Sequence, residues 1–193
     1  MKKEFIGPTI TTIQEDLVSL INNIQIEPFG TLDEFERVHG NAQIKENGRL
    51  VIKTLSTGHT EIRGKREYSS GIYNIHSQVE QLNGWIFFGI ISKSQSMQTN
   101  SFYSPSSYGW SNHNQIYLGV GSQVTSQQTI EIVQNDRIVL TIDCDQRKIA
   151  LKNERLNRAI ELPIDINKCP FPWQFHLNLH GTNTRVRILD RID

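Results

Sequence analysis

The stretch NDRIVLTIDCDQRKIALKN, residues 135–153, alternates strictly. Ile138, Leu140, Ile142 and Cys144 point one way, and Arg137, Val139, Thr141 and Asp143 point the other. A period of two is the pattern of a half-buried strand. Asp145-Gln146-Arg147-Lys148 forms a polar turn and IALKN is the return strand, so the stretch reads as a hairpin. It also carries a D-x-D pair, Asp143 and Asp145, an arrangement that elsewhere holds a metal ion against a phosphate. On a continuing strand the two carboxylates share a side but stand roughly 7 Å apart, at a rise of about 3.3 Å per residue. One ion would be shared only if the turn bent them together. A strand-end aspartate bonded to nearby backbone amides accounts for Asp143 without a metal.

The same period runs outward from this hairpin. NAQIKENGRLVIKTL reads as two short strands around Asn47-Gly48, a dipeptide suited to a tight turn. GIYNIHSQVEQLNGWIFFGIISKS repeats the pattern, with Asn83-Gly84 between its arms. In FPWQFHLNLHG, Phe171, Trp173, Phe175, Leu177 and Leu179 alternate with Gln174, His176, Asn178 and His180, giving one apolar and one polar face. TRVRIL follows as a final strand. Short alternating strands with turn signals between them, in a chain of 193 residues, predict one all-β domain. Its expected form is an antiparallel sandwich of two sheets.

Residues 9–26 stand apart. Ile10, Ile13, Leu17, Leu20 and Ile24 follow a 3,4,3,4 spacing, and Pro28 with Gly30 ends the pattern. The expected organisation is an N-terminal helix over 1–28 and a β-sandwich over 29–193. Barely two heptads do not hold a coiled coil together in water. The helix is therefore either the end of a longer coiled coil, giving a homodimer, or an amphipathic helix laid on its own domain.

Lysine plus arginine equals aspartate plus glutamate at 20 each. The chain has no basic field to gather nucleic acid or an anionic membrane. It has no apolar run of a signal peptide near its start and no stretch of about 18 apolar residues. Cys144 and Cys169 have no metal or redox spacing and there is no Asn-x-Ser/Thr sequon. These features point to a cytoplasmic protein whose two free thiols are buried hydrophobes. No cofactor motif is present: neither a phosphate-binding glycine loop nor a G-x-S-x-G elbow occurs. His176 and His180 would be a zinc pair on a helix, but on a strand they lie about 13 Å apart. They read as surface or rim histidines, and His39, His59, His76 and His113 form no ligand spacing.

In this order the motifs resemble a SPRY (PRY-SPRY, B30.2) domain. NDRIVLTIDCDQRKIALKN is similar to that family's acidic turn, apolar strand ending in Asp, and return strand ending near Asn. GWIFFGIISKS resembles its Trp-x-x-x-Gly strand, YGW its Gly-Trp segment, and FPWQFHLNL with TRVRIL its closing strands. HGNAQIKENGRLVI and REYSSGIYNIHSQVE are similar to the PRY-like opening and the strand after it. The resemblance spans roughly residues 30–190. It departs at Ile75 and His76, where the family has a tryptophan, and at Asn135-Asp136, where Gly-Asp is common. The resemblance implies a bent, jelly-roll-like sandwich used for protein recognition. In tripartite-motif ubiquitin ligases such a domain follows a coiled coil and captures the substrate. The chain has no RING or B-box cysteine and histidine set.

Two segments are candidate binding loops. SKSQSMQTNSFYSPSSYGWSNHNQ, residues 92–115, has one formal charge, many small polar residues, and the rings Phe102, Tyr103, Tyr108 and Trp110. Tyrosine among serine and asparagine is the chemistry of adaptable recognition loops. By resemblance Trp110 belongs to the core, and the loop 94–109 lies near RGKREYSSG, 63–71. Arg63, Lys65, Arg66 and Tyr68 there would form a rim pairing with partner carboxylates. The expected partner-binding residues are Arg63, Arg66, Tyr68, Phe102, Tyr103, Tyr108 and His113, with Tyr68, Phe102, Tyr103 and Tyr108 as anchors. The expected ligand is a protein or short peptide, with no catalysis and no cofactor. The rival expectation is a carbohydrate-binding or hydrolytic β-sandwich.

Overall fold

The computed structural model describes residues 33–119, 123–125 and 130–190. The expected N-terminal helix, and the coiled-coil and dimer readings that rest on it, lie outside the described residues. Leu32–Asp193 forms one compact unit. Its strands are β1 (Phe35–His39), β2 (Ala42–Lys45), β3 (Leu50–Lys53), β4 (Thr60–Gly64), β5 (Ile72–Gln81), β6 (Trp85–Ser92) and β7 (Ser107–Ser111). They continue as β8 (Gln115–Leu118), β9 (Gln123–Thr125), β10 (Arg137–Asp143), β11 (Lys148–Asn153), β12 (Arg158–Pro163), β13 (Trp173–His180) and β14 (Arg185–Ile188). Two seven-stranded antiparallel sheets result, ordered β1-β4-β13-β6-β7-β8-β9 and β12-β11-β10-β5-β14-β3-β2. The chain is an all-β sandwich, and among the described residues no helix is long and apolar enough to cross a membrane.

The hairpin 135–153 forms as its alternation requires. Ile138, Leu140 and Ile142 are buried, and β10 pairs β11 from Ile138–Asn153 to Asp143–Lys148. Both acids of the D-x-D serve the backbone. Asp143 accepts the Gln146 N–H at 2.8 Å, and Asp145 accepts the Gly71 N–H at 2.8 Å, fastening the hairpin tip to the start of β5. At the other end Asn135 adopts φ +70°, a left-handed conformation that asparagine tolerates and that explains why it can stand in a glycine's place.

Next to it Asp136 is buried and accepts from the Val133 N–H (2.9 Å), Asn153 Nδ2 (2.7 Å) and Arg155 Nε (2.6 Å). Burial pushes its carboxyl up, but these donors outweigh it and hold it below the usual aspartate range. A depressed carboxyl stabilises the fold above its unfolded value, and that stability disappears as pH falls through the folded value. Asp136→Ala is therefore expected to cost about 1–3 kcal/mol at neutral pH. The cost shrinks below pH 3.8 in an acid-unfolding series.

Asn47-Gly48 makes the expected hairpin between β2 and β3, with φ +50° and +86°. Asn83-Gly84 does not. β5 and β6 belong to different sheets, so this dipeptide turns the corner between them. Gly84 is fixed there by φ +151° and by the His180 carbonyl, which a Cβ would meet at 2.6 Å.

The core lies between the sheets, around Ile62, Phe88, Leu140, Leu151, Trp173, Phe175, Leu177 and Val186. Trp110 is in it at 1% exposure, and Trp173 donates its indole N–H to the Cys169 carbonyl at 2.8 Å. Both cysteines are free and buried, and burial pushes each thiol up to about 12.

Strand β13 departs from the expected half-exposed pattern. Trp173 through Leu179 are all buried, the polar Gln174, His176 and Asn178 included. His176 is thus not a surface histidine: the segment following β6 covers that face with hydrogen-bonding groups.

Candidate functional site

The face of the first sheet turned away from the core is a polar and aromatic layer. Residues i and i+2 share a face, and the register sets neighbours across strands. Arg63 of β4, His176 of β13 and Gly89 of β6 form one row, and Glu61, Asn178 and Phe87 form the next. His180 and Trp85 follow at the end of the sheet.

The connection between β6 and β7 is tied down on this layer. The Gln98 N–H donates to Glu61 at 2.7 Å, and Asn178 Nδ2 donates to the Thr99 carbonyl (2.9 Å) and Ser101 Oγ (3.1 Å). Ser101 Oγ and Ser107 Oγ meet the two ring nitrogens of His176 at 2.7 and 3.2 Å. A neutral imidazole has one donor and one acceptor nitrogen, which two hydroxyls can match. Burial, then the Arg63 charge, holds His176 well below the usual histidine range, so it stays neutral. Glu61 and Arg63 are fully buried and joined at 2.6 Å through Arg63 Nε.

A 3-10 turn, Ser101–Tyr103, then delivers Phe102 onto the sheet. With Trp85, Phe87 and Tyr117 it forms a second small apolar cluster. Phe102 lies 4.5 Å from Trp85 and 5.5 Å from Tyr117 between ring centroids, in the tilted and edge-on geometries that aromatic pairs favour. Two facing glycines make room for the Phe87 ring. A Cβ on Gly109 would sit 2.6 Å from that ring and 2.2 Å from the Phe88 carbonyl. Gly109→Ala is expected to destabilise by about 1–3 kcal/mol through overpacking, read as a lower melting midpoint with loss of near-ultraviolet aromatic signal.

Beyond Phe102 the layer opens into a cleft of about 220 Å³. Trp85, Phe102, Tyr103 and Tyr117 supply its rings, and His59, His113, His180 and Gln115 its polar atoms. The His59 and His180 rings are 4.9 Å apart. Because Asn178 spends its amide hydrogens on Thr99 and Ser101, its Oδ1 accepts from His59 Nδ1 (3.2 Å). That assigns the proton of neutral His59 to Nδ1 and leaves Nε2 open. Burial, and then the neighbouring His180 and Lys53, hold His59 below the usual histidine range against the Asn178 bond. Among the described residues no three histidine, cysteine or acidic side chains gather as a metal cage.

The structure divides the expected partner-binding residues. Phe102, Tyr103 and His113 line the cleft, but Phe102 is buried against Trp85 and Tyr117, while the Tyr103 ring is largely exposed, at 45%. Arg63 is not a rim residue, since it is wholly buried against Glu61. Tyr68 is buried too: its hydroxyl donates to Asp33 at 2.8 Å, holding the turn after β4 onto the core. Tyr108, at 3% exposure, belongs to the core. Arg66 is partly buried, its guanidinium over the Tyr73 ring at 4.4 Å. The two candidate segments do meet, through a Lys93–Glu67 ion pair, but the cleft lies at the far end of the second. Residues 92–115 are not one loop, for they hold the 3-10 turn and all of β7. The sequence reading missed His59, Trp85, Gln115, Tyr117 and His180. Alternation places side chains on faces within a strand and says nothing about which strands are neighbours.

Among solved structures, the SPRY domain of human HERC1 superposes over 82% of this chain and 99% of its own, with a TM-score of 0.66 at 16% identity. The fold is that of a SPRY domain. The TRIM65 PSpry domain superposes over 96% of this chain and 100% of its own, with a TM-score of 0.64 at 8% identity. No protein-family model and no curated protein matches the sequence. The SPRY likeness therefore rests on the shape of the sandwich, and the cleft is built from this chain's own side chains.

Proposed function

We propose that the chain is a protein-recognition module that holds a short segment of a partner in the cleft at the end of the first sheet. The observation that carries this reading is the cleft itself: four aromatic rings and three imidazoles around one opening, on a support buried on both faces. Rigid aromatic anchors beside small polar groups are what dominate such interfaces. The SPRY fold supports a recognition role, and the heptad at 10–24 supports placing it in a ubiquitin-ligase-like or adaptor chain as the substrate-binding part. Binding to a defined peptide, compared between the whole chain and Tyr103→Ala, tests the reading.

The carbohydrate rival draws on the same rings, because aromatic faces also stack sugars. A glycan array probed with the whole chain is expected to give no hit that Tyr103→Ala abolishes. The hydrolytic form of that rival needs two facing carboxylates, and no acidic residue lines the cleft. Homodimerisation through residues 10–24 is a further part of the proposal. Removing residues 1–26 is then expected to halve the mass measured in solution.

A further inference from the structure

At Gln115 the donors outnumber the lone pairs they share. Trp85 Nε1 (3.3 Å), Ser111 Oγ (3.0 Å) and Tyr117 Oη (3.0 Å) all converge on Gln115 Oε1. The indole can only donate, so the Gln115 atom they meet is the oxygen, and its two lone pairs face three donors. The Gln115 amide nitrogen adds further donor hydrogens. No carboxylate lines the cleft. Glu61, one row away, is already taken by Arg63 Nε and the Gln98 N–H. Behind His59 lies Lys53, whose side chain is buried and whose ammonium meets the Thr57 carbonyl at 3.4 Å. Its charge reaches His59. Lys53 has no carboxylate partner among the described residues.

We propose that the cleft takes a carboxylate from an acidic segment of a partner protein, held between the His59–His180 pair and the donors around Gln115. An apolar side chain beside that carboxylate packs on the Trp85 and Tyr103 rings. This inference rests on the cleft being the recognition site. The field there favours an anion: burial lowers the Lys53 pKa with no carboxylate to hold its charge, so an incoming anion stabilises the ammonium, and no acidic side chain lines the cleft. A bound carboxylate next to His59 favours imidazolium, so binding takes up a proton from solvent.

The surroundings of His59 fix the sign. His180 and the neutral His176 lie on β13, Lys53 on β3, and Glu61 and Arg63 on β4, just after His59, as an ion pair. The phenols of Tyr103 and Tyr117 and the His113 imidazole complete the cleft. Without ligand, burial above all holds His59 below the usual histidine range, so it is neutral at pH 7. With a carboxylate present its pKa rises. Affinity therefore increases as pH falls from 7.5, by up to about tenfold per unit for one proton taken up, until free His59 itself protonates.

Three probes with the same aromatic body test this on the whole chain by NMR titration: 3-phenylpropionate, 2-phenylethylammonium and 2-phenylethanol. The expected result is that 3-phenylpropionate alone shifts the Trp85, Tyr103 and His59 resonances strongly. Its apparent Kd falls between pH 7.5 and 6, and His59→Gln removes that pH dependence. His180→Gln serves as the second variant should the first not fold. If the ammonium or the alcohol binds as tightly, or if acidification weakens the carboxylate, the inference is overturned while the cleft remains a recognition site. If none of the three shifts the cleft, both readings fail.

Discussion

Glu61→Ala is expected to cost about 3–5 kcal/mol of stability, the range for breaking a buried ion pair. The reason is what it leaves behind. Arg63 is fully buried, and Nε is bonded to Glu61, while Nη1 and Nη2 have no hydrogen-bond partner among the described residues. Its neighbours across the strands are Arg37 and His176, neither of which offers negative charge. Without Glu61 the guanidinium stands uncompensated at a position closed to solvent. Glu61 also accepts the Gln98 N–H, so the same change releases the segment that carries Phe102 onto the sheet. Urea unfolding gives the stability, and amide exchange over 98–103 gives the loosening. The double variant Glu61→Leu with Arg63→Met is expected to recover most of the loss, because an apolar pair has no charge to leave unpaired. A loss under about 1 kcal/mol for Glu61→Ala would show that the pair is not buried as described.

The second large effect separates binding from folding. Tyr103→Ala is expected to weaken partner binding by at least about 2 kcal/mol, roughly thirtyfold. Stability should stay within about 0.5 kcal/mol, because the ring is 45% exposed and stands at the cleft's edge. Tyr108→Ala is expected to do the reverse. That ring is in the core, and removing it costs about 3–5 kcal/mol by leaving a cavity. Two tyrosines five residues apart in one polar segment thus have opposite roles. Isothermal titration paired with thermal unfolding on the same samples distinguishes them.

That contrast shows what the sequence could and could not convey. Hairpin 135–153 was legible because β10 and β11 are adjacent in the chain, and their pairing needs only a turn. The all-β class followed from the same local periodicity. The corner at Asn83-Gly84 looks like a hairpin in sequence, since the dipeptide fits either turn and only packing between sheets decides. Within the candidate site, Tyr103 and His113 are legible from composition, whereas Arg63, Tyr68 and Tyr108, expected at the surface on the same grounds, are buried, as is Phe102 where it lines the cleft. Their partners Glu61, Asp33 and the core come from distant strands. His59, Trp85 and His180 converge only because β4, β13 and β6 are neighbours in the first sheet, a fact of non-local pairing.

The central claim is that the cleft is where this SPRY fold holds its partner. Peptides selected on the whole chain from a random display library test it most directly, with affinities then compared across variants. Tyr103→Ala is expected to weaken the selected peptides at least about thirtyfold. Leu156→Ala, exposed on the turn between β11 and β12 of the other sheet, should leave them unchanged. Peptides that bind Tyr103→Ala as tightly as the unaltered chain would contradict it.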